Sequence, residues 1–227
     1  MTINVLDNPV WHALTGPHRR HATLQERAAH YPRDMAPFSA IVDASDGSYA
    51  DLALDLPRGS EARLFRPLNE PMPGGWEEVD AFPMLQMIAV GPSAAMKEER
   101  AVAPLSLADT PAMLELVERS RPGPFGTRTP ELGRYLGIKE GGRLMAMAGE
   151  RLRPPGHVEL SAICVHPEAR GRGYGQCLTL ALMRQAFSDG EVPFLHVRPD
   201  NGAAVSLYRK LGFTVRREIF VLWRRPR

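Results

Sequence analysis

Cysteine is scarce in this sequence, which has only Cys164 and Cys177 among its 227 residues. They do not form a C-x-x-C pair, and neither is followed by closely spaced histidines, so the ligand spacing of a zinc site is missing. Three N-terminal histidines, His12, His18 and His21, lack both i, i+4 spacing and a suitably placed carboxylate. We therefore expect two reduced, mostly buried thiols in an intracellular protein, and no bound metal.

Long hydrophobic runs and a strong charge of either sign are also missing. The most apolar stretch, Phe82–Val90, is far shorter than the roughly 20 residues that span a bilayer. Residues 1–7 hold neither the basic nor the apolar region of a secretory signal. A net charge of +2 gives no argument for a nucleic-acid or membrane partner. These absences predict a cytoplasmic protein with neither kind of partner.

The composition that is present is ordinary for a globular protein. The chain is 44% hydrophobic and 24% charged, which is enough to bury a core without disulfides. Its character changes near residue 92, where a linker is predicted over Gly91–Arg100. Before that point, proline-rich and weakly periodic segments predict one helix, Val10–Ala29, and three short strands, Phe38–Asp43, Ala62–Phe65 and Met84–Val90.

After residue 100 the pattern is clearer and predicts a mixed sheet that carries helices. Asp109 precedes Thr110-Pro111, an arrangement typical of a helix start with Asp109 as the N-cap. The order β-α-α-β-β-β-α-β-α-β-β is not a repeating βαβ array, so the predicted fold class is α/β with a mixed sheet. The predicted strands are Val102–Leu107, Leu136–Lys139, Arg143–Arg151, His157–Val165, Pro193–Val197, Phe213–Val215 and Glu218–Trp223, and the later helices are Glu131–Leu136, Tyr174–Phe187 and Ala203–Leu211.

Glycine and arginine are concentrated directly after the strand His157–Val165, in the run Arg170-Gly171-Arg172-Gly173-Tyr174-Gly175. The first N–H groups of a helix lack intrahelical partners and carry the positive end of its dipole, so a strand that leads through glycines into a helix predicts a phosphate-binding turn. Glycines permit positive φ angles and close approach of a ligand to the backbone. Arg170 and Arg172 add donors suited to phosphate.

Two other phosphate-binding motifs fit this segment poorly. A P-loop needs G-x-x-x-x-G-K-[ST], and the sequence has no Gly-Lys-Ser or Gly-Lys-Thr. A dinucleotide-binding turn needs G-x-G-x-x-G, whereas this segment reads Gly171-x-Gly173-x-Gly175. Glu191, at about the distance of the ribose-binding acid, precedes the next predicted strand instead of ending it. A purely structural tight turn is the remaining alternative.

The segment matches the Q/R-x-x-G-x-G/A motif that cradles the coenzyme A pyrophosphate in GNAT-superfamily acetyltransferases. Downstream, the run Asn201 to Phe213 (NGAAVSLYRKLGF) resembles the N-x-x-A-x-x-L-Y-x-x-x-G-F segment of that family. Both motifs occur in the right order, so residues 100–227 resemble a GNAT acyl-CoA N-acyltransferase domain. More narrowly, the chain resembles the branch related to glycine N-acyltransferases. In that branch a smaller, degenerate α/β half precedes the catalytic half, and residues 1–95 would be that half.

The resemblance implies acetyl-CoA as a co-substrate and a set of residues that hold it. Its pyrophosphate is expected on the backbone N–H groups of residues 171–175, beside Arg170 and Arg172. Main-chain atoms of Ile163 and Val165 are expected to pair with the pantetheine arm like an added strand. Asn201 is a candidate to hydrogen-bond the coenzyme or to cap the helix that follows it, and one side chain can do both.

The resemblance also implies direct attack of an amine on the thioester in a ternary complex. An alkyl ammonium has a pKa of roughly 10, so a base with a raised pKa would help, and Glu159 lies on the predicted strand face of Val165. A solvent-facing residue paired with an arginine is the alternative for Glu159, and His196 is a second candidate base. Tyr208 is the implied general acid for the departing thiolate, the alternative being an aromatic that only fills the core.

The sequence leaves the identity of the acceptor and the role of residues 1–95 open. The acceptor is a small-molecule or peptide amine, and Phe125 and Arg128 are candidates for contacting it, with Arg128 suited to a carboxylate. Residues 1–95 are expected to cover a sheet edge, shape the acceptor site or form a homodimer face. The alternative function is a catalytically silent module that binds coenzyme A as a regulator or scaffold. A solvated basic rim is predicted from the C-terminal arginines Arg216, Arg217, Arg224, Arg225 and Arg227. The alternative is that they contact the 3′-phosphate of the coenzyme or an acidic acceptor.

Overall fold

The computed structural model describes residues 4–57, 59–91 and 102–227. None of the helices within these ranges is both long enough and apolar enough to cross a membrane. The helices are α1 (Pro9–Leu14), α2 (Asp46–Asp55), α3 (Thr110–Ser120), α4 (Tyr174–Ser188) and α5 (Gly202–Lys210). The strands are β1 (Thr23–Leu24), β2 (Ala28–His30), β3 (Ser39–Ile41), β4 (Ala62–Arg66), β5 (Trp76–Ala89), β6 (Ala103–Leu105), β7 (Tyr135–Glu140), β8 (Arg143–Glu150), β9 (His157–Val165), β10 (Val192–Val197) and β11 (Phe213–Pro226).

An eight-stranded mixed sheet forms the centre of the protein, in the order β4-β11-β5-β10-β9-β8-β7-β6. β9 and β10 run parallel, and the other neighbouring strands are antiparallel. β1, β2 and β3 form a separate small antiparallel sheet. The α/β fold class with a mixed sheet, predicted from the sequence, is confirmed.

Strands from before residue 92 complete the large sheet. β5 lies between β10 and β11, and β4 forms the edge beyond β11. β5 and β11 pair over nearly their whole lengths, from Phe213 opposite Ala89 to Pro226 opposite Trp76. Residues far apart in the chain therefore sit side by side in the middle of the sheet.

The predicted linker Gly91–Arg100 falls almost entirely on residues 92–101, which lie outside the described residues. The division into 1–95 and 100–227 therefore stays a prediction. The large sheet is continuous across that division, because β4 and β5 both pair with β11.

The two faces of the sheet are covered by different parts of the chain. α4 and α5 pack on one face, where Leu178 and Leu195 belong to the same buried cluster. Residues 4–57, here called the N-terminal segment, cover the other face over β10, β5 and β11. Tyr31 packs there with Phe194 and Val221. Because side chains alternate between the two faces along each strand, each residue that lines an opening in the sheet can be assigned to one of the two faces.

The elements predicted after residue 100 are found with some changes. β9 has the predicted ends, and α4 begins at the predicted Tyr174. The two predicted C-terminal strands are one strand, β11, because a register shift after Val215 bends it without ending it. The predicted helix Glu131–Leu136 is wrong; a single 3-10 turn lies at Thr129–Leu132.

Two helix predictions also need correction. Asp109 is the N-cap residue of α3, as predicted, but its side chain makes no capping bond there; its carboxylate accepts from the N–H of Ser106 over 2.8 Å and closes a capping box one turn earlier. The predicted helix Val10–Ala29 is wrong beyond its first turns. α1 ends at Leu14, just before Gly16-Pro17, where proline removes a backbone donor and disfavours helix in the residue before it.

Candidate active site

β9 and β10 separate in the middle of the sheet. Their parallel pairing joins residues 157–159 to residues 192–194 and stops there, although β9 continues to Val165 and β10 to Val197. The backbone of β9 beyond Glu159 therefore has an edge with which β10 does not pair. Such an edge can bind an extended chain as an added strand.

A bulge in β9 lies at this split. Between two regular pairs of β8 with β9, Ala148 alone stands opposite both Ala162 and Ile163. Ala162 has a φ angle of 51°, a left-handed conformation that costs free energy in a residue with a side chain. Bulges change the direction of a strand's side chains and amides, and they are frequent beside active sites.

The glycine turn joins β9 to α4 and places a glycine at the N-cap of that helix. Gly171 and Gly173 have φ angles of 76° and 78°, which glycine adopts without strain. Gly173 is the N-cap residue of α4 and has no side chain with which to cap the helix. The first N–H groups of a helix and its dipole together favour an anion at this point.

The side chains of the turn differ in whether they already form hydrogen bonds or ion pairs within the protein. Arg172 donates to Glu140 over 3.1 Å and to a backbone oxygen nearby. The ring of Tyr174 is buried, and its hydroxyl also donates to Glu140. Arg170 is exposed and forms no ion pair with any described residue. Arg170 is therefore the arginine of the turn that is open to an anion, whereas Arg172 is held by Glu140.

A cavity of about 350 Å³ opens at the split. Ile163 and Leu195 line it from the side of α4 and α5. Phe38, Phe65 and Val221 line it from the side of the N-terminal segment. Because residues of both faces line one cavity, the cavity passes through the sheet from one face to the other.

Tyr208, on α5, forms part of the cavity wall. Its ring packs edge-on against Phe213, with ring centroids 6.0 Å apart, and its hydroxyl makes no hydrogen bond to a described residue. Burial raises the pKa of Tyr208 to about 12, so the hydroxyl keeps its proton at neutral pH and can donate it into the cavity.

Glu159 lies fully buried beside the cavity, and both its oxygens are occupied. Contrary to our expectation, it does not share the strand face of Val165, because the bulge shifts the alternation of side chains and Val165 packs with Leu160 towards α4. Arg151 donates to them over 2.8 and 2.7 Å, and Nδ1 of His196 lies 2.7 Å from Oε1. Burial alone would raise the pKa of this carboxyl, but the charge and hydrogen bonds of Arg151, with help from His196, lower it to about 2. The raised pKa that we expected of a base is therefore wrong. The base role of Glu159 stays a prediction without that support.

A chain of hydrogen bonds fixes the orientation of His196. Oε1 of Gln86 accepts from Arg216 over 2.7 Å. The amide nitrogen of Gln86 therefore donates, and it lies 3.1 Å from Nε2 of His196. Nε2 is then an acceptor, and Nδ1 carries the proton that it donates to Glu159. Gln86 was not a candidate in the sequence, because only the place of β5 beside β10 brings it here.

Three further candidates lie outside the cavity. Asn201 accepts from the N–H of Ala204 over 3.1 Å and so caps α5, which agrees with one of its two predicted roles. Arg128 is paired with Glu131 over 2.8 Å, and Phe125 packs edge-on against another aromatic ring. Neither Arg128 nor Phe125 lines the cavity.

Three of the five C-terminal arginines do not belong to the solvated rim that the sequence predicted. Arg224 is fully buried and donates to the backbone oxygen of Glu70 over 2.5 Å. Arg216 and Arg217 both bind the carboxylate of Asp7, over 2.7 and 2.8 Å. These three side chains bind β11 to residues that precede β5 in the chain.

Comparison with known families and structures agrees with this geometry. Residues 135–221 match the model of a family described as FR47-like protein. A solved structure from Novosphingobium aromaticivorans DSM 12444, described as an acetyltransferase of the GNAT family, is similar over 99% of this chain and 100% of its own, with a TM-score of 0.91 and 34% sequence identity.

Curated relatives match a shorter part of the chain. The N-alpha-acetyltransferase RimI of Mycobacterium tuberculosis is 44% identical over 82 residues, which are 35% of this chain and 51% of that protein. A mycothiol acetyltransferase of Pseudarthrobacter chlorophenolicus is 38% identical over 88 residues, which are 36% of this chain and 27% of that protein. The chain thus spans about half the length of the first relative and about a quarter of the second.

Proposed function

Because this chain belongs to the GNAT family of acetyltransferases, we propose that it transfers an acetyl group from acetyl-CoA to an amine acceptor by direct attack in a ternary complex. The observation that carries the proposal is the cavity through the split sheet, which lies between the β9 edge leading to the start of α4 and the hydroxyl of Tyr208. Coenzyme and acceptor can approach the same point from opposite faces. The acceptor is a small-molecule or peptide amine.

The residues beside the split fit acetyl-CoA as a co-substrate. The glycine turn would let the pyrophosphate approach the backbone, with Arg170 as an added donor. A Cβ on Gly175 would meet only Ile163 and Val165, each at an ordinary 3.7 Å, so the protein's own packing does not require glycine there. The unpaired edge of β9 at Ile163 and Val165 fits the amide groups of the pantetheine arm.

The substitution Gly175→Glu is expected to weaken coenzyme binding without harming the fold. Glutamate is a better helix former than glycine by up to about 1 kcal/mol, and its charge suits the first turn of a helix, so the free energy of unfolding should stay or rise. Its carboxylate would stand where the pyrophosphate approaches the helix and would repel it, and we expect the Kd for coenzyme A to rise about tenfold, or ~1.4 kcal/mol. Calorimetric titration and thermal melting measure the two effects.

Gly74→Glu is the matched control for this substitution. Gly74 is exposed, a Cβ there would meet nothing within 4 Å, and Gly74 precedes β5, away from the glycine turn. Neither affinity nor stability should change much in that variant. An unchanged affinity in Gly175→Glu would show that the pyrophosphate does not lie against the first turn of α4.

The chain's own groups can supply the chemistry of transfer. The acceptor nitrogen bonds to the acetyl carbon as the bond from that carbon to sulfur breaks. A backbone N–H near the bulge at Ile163 would stabilise the negative charge that develops on the carbonyl oxygen, and one such donor contributes about 3–4 kcal/mol. The hydroxyl of Tyr208 would donate its proton to the departing sulfur and regain one from water. The proton lost by the nitrogen goes to water, so the products are the acetylated amine and a free thiol.

The charge of the cavity favours the neutral form of the acceptor. No carboxylate of the described residues lines it, and positive charge disfavours an ammonium group, so the pKa of a bound amine falls. The acceptor would then lose its proton without a carboxylate base. Glu159, with its pKa lowered to about 2, would hold its neighbours in place instead of accepting that proton. Four arginines line the cavity: Arg63, Arg121, Arg151 and Arg198.

We expect kcat/KM to rise with pH towards the pKa of the acceptor's own amine, because the neutral amine attacks and Glu159 titrates far below the assay range. Profiles are measured with acceptors whose amines have well-separated pKa values, and the midpoint should move with the acceptor. A midpoint shared by all acceptors would instead assign the proton transfer to a group of the protein.

Thiol release from acetyl-CoA, followed with a panel of amines, amino acids and peptides, tests the proposed function. A calorimetric titration of coenzyme A is run alongside. Release that depends on an acceptor supports the transferase. Coenzyme binding with no acceptor-dependent release across the panel would favour a regulatory or scaffold module, and absence of coenzyme binding would contradict the site itself.

A further inference from the structure

In the part of the cavity that faces the N-terminal segment, an apolar wall lies next to a positively charged side chain. Phe65, Phe82 and Met84 form an apolar wall there. Arg63 lies two residues from Phe65 on the same face of β4. Because no acidic side chain of the described residues lines the cavity, the charge of Arg63 meets no protein counter-ion within it.

Arg63 differs from the other arginines of the cavity in being both sheltered and unpaired. Its side chain is half-buried; the charge of nearby Glu61 acts on it, but Arg63 forms no ion pair within 4 Å with a described residue. A guanidinium does not lose its proton in proteins, so this charge is permanent. The others are paired or solvated: Arg151 binds Glu159 at 2.7 Å, Arg198 lies 3.8 Å from Asp200, and Arg121 is exposed.

Trp223 holds the guanidinium of Arg63 in a defined orientation. The guanidinium carbon lies 3.8 Å from the centroid of the indole ring, and the two residues are direct neighbours on β4 and β11. The indole Nε1 donates to Glu61 over 2.7 Å, and Glu61 is also bound by Arg225 over 2.5 Å. A stacked guanidinium keeps its N–H groups in its own plane, where a carboxylate or phosphate can accept from two of them.

We propose that Arg63 binds an anionic group of the acceptor, so that the substrate class is amines that also carry a carboxylate or a phosphate. The inference rests on the proposed transfer to an amine at the split. β4 and β9 are separated by the strands β11, β5 and β10, which amounts to four spacings of about 4.8 Å. The anion and the amine therefore lie at opposite ends of an extended acceptor, with the apolar wall along its middle. A free α-amino acid, with one carbon between its two groups, is too short to reach both ends.

The test compares acceptors that differ only in charge. Thiol release from acetyl-CoA is measured for a series from single amino acids to tetrapeptides, each as the free C-terminal acid and as the amide. ω-Aminoalkyl phosphates are measured against the matching alcohols, which distinguishes phosphate from carboxylate as the source of the anion. We expect kcat/KM to favour the charged member by about tenfold or more once the acceptor is long enough, and by little for single amino acids.

Variants of Arg63 locate the preference. Arg63→Gln should remove most of the preference for the charged acceptor, and Arg63→Lys, which keeps the charge but loses the planar fork, should retain part of it. Arg119→Gln, on the exposed side of α3, is the control and should keep the full preference. Thermal melting of each variant shows that it is folded. Equal rates with acids and amides, or a full preference in folded Arg63→Gln, would overturn the inference and leave transfer to amines intact.

Failure of the proposed function gives a different result. In that case no acceptor supports thiol release, and calorimetric binding of the same acid and amide pairs to the protein with coenzyme A decides the role of Arg63. Tighter binding of the acid, lost in Arg63→Gln, supports the inference. Equal binding of the pair, or no binding of either, overturns it.

Discussion

Tyr208→Phe is expected to lower kcat roughly 10- to 100-fold, because the departing sulfur loses the hydroxyl that protonates it. The effect stays moderate since a thiol has a pKa of about 8.5 and its thiolate is already a fair leaving group. The phenyl ring keeps the packing against Phe213, so the Kd for coenzyme A should change little. Steady-state kinetics and a calorimetric titration separate the two quantities.

Tyr135→Phe provides the matched control for this loss of a hydroxyl. Tyr135 is also buried, and its hydroxyl has no hydrogen-bond partner among the described residues, but it does not line the cavity. Its removal should leave kcat unchanged and stability unchanged or slightly higher. If kcat in Tyr208→Phe equals that of the parent protein, Tyr208 is not the acid and only packs in the wall.

Glu159→Gln is expected to cause the largest loss of stability. The amide has the shape of the carboxyl but no charge, so Arg151 would be left as a buried cation without a counter-ion. Breaking such a pair costs about 3–5 kcal/mol, which for a protein of this size lowers Tm by roughly 6–20 °C. Denaturant unfolding and thermal melting measure the change. Glu77→Gln removes one side of an exposed pair with Arg225 and should change stability by less than about 0.5 kcal/mol.

The contribution of Glu159 depends on pH in a defined direction. Its pKa is about 2 in the folded protein, against an ordinary value of 4.5, so the folded state binds its proton less readily than the unfolded chain does. The stabilisation is fully present above pH 4.5 and is lost as the pH falls towards 2. The difference in unfolding free energy between the parent and Glu159→Gln should shrink over that interval. A difference that is constant down to the acid limit would contradict the low pKa.

Activity of the same variant separates two roles for Glu159. A residue that only holds Arg151 and His196 in place should, when replaced, lower kcat by a factor that does not depend on pH. If Glu159 is instead the direct base, its replacement should remove the rising part of the profile of kcat against pH. The pH profile of the variant therefore tests the base role predicted for Glu159, which a loss of activity alone would not do.

The sequence predicts best those elements that are marked by local chemistry. Glycines and the helix that follows them define the end of β9 and the start of α4, and Asn201 marks the start of α5 as a cap. Period-two alternation indicates which face of a strand is buried, but it does not identify the neighbouring strand. For that reason Gln86 and Arg63 were not candidates. Gln86 enters the site through the pairing of β5 with β10, and Arg63 through the pairing of β4 with β11.

The electrostatics of Glu159 could not be predicted for a related reason. A carboxylate on a buried strand can have a high or a low pKa, depending on whether a cation faces it. Arg151 supplies that cation, and the sequence places it at the end of a neighbouring strand without showing where its side chain lies. The raised pKa was a fair expectation for an isolated carboxyl and wrong for a paired one.

The place of β5 in the sheet also constrains how the chain reaches its native state. Gln86 meets His196 and Arg216, which follow it by 110 and 130 positions, so the middle of the sheet closes only when nearly all of the chain is available. Folding dominated by such distant contacts is slow, and β5 leaves the ribosome long before its partners do. We therefore expect refolding to be slow compared with that of helical proteins of similar size. We also expect a fragment that begins after β5 to need β5, supplied as a separate chain, to become ordered.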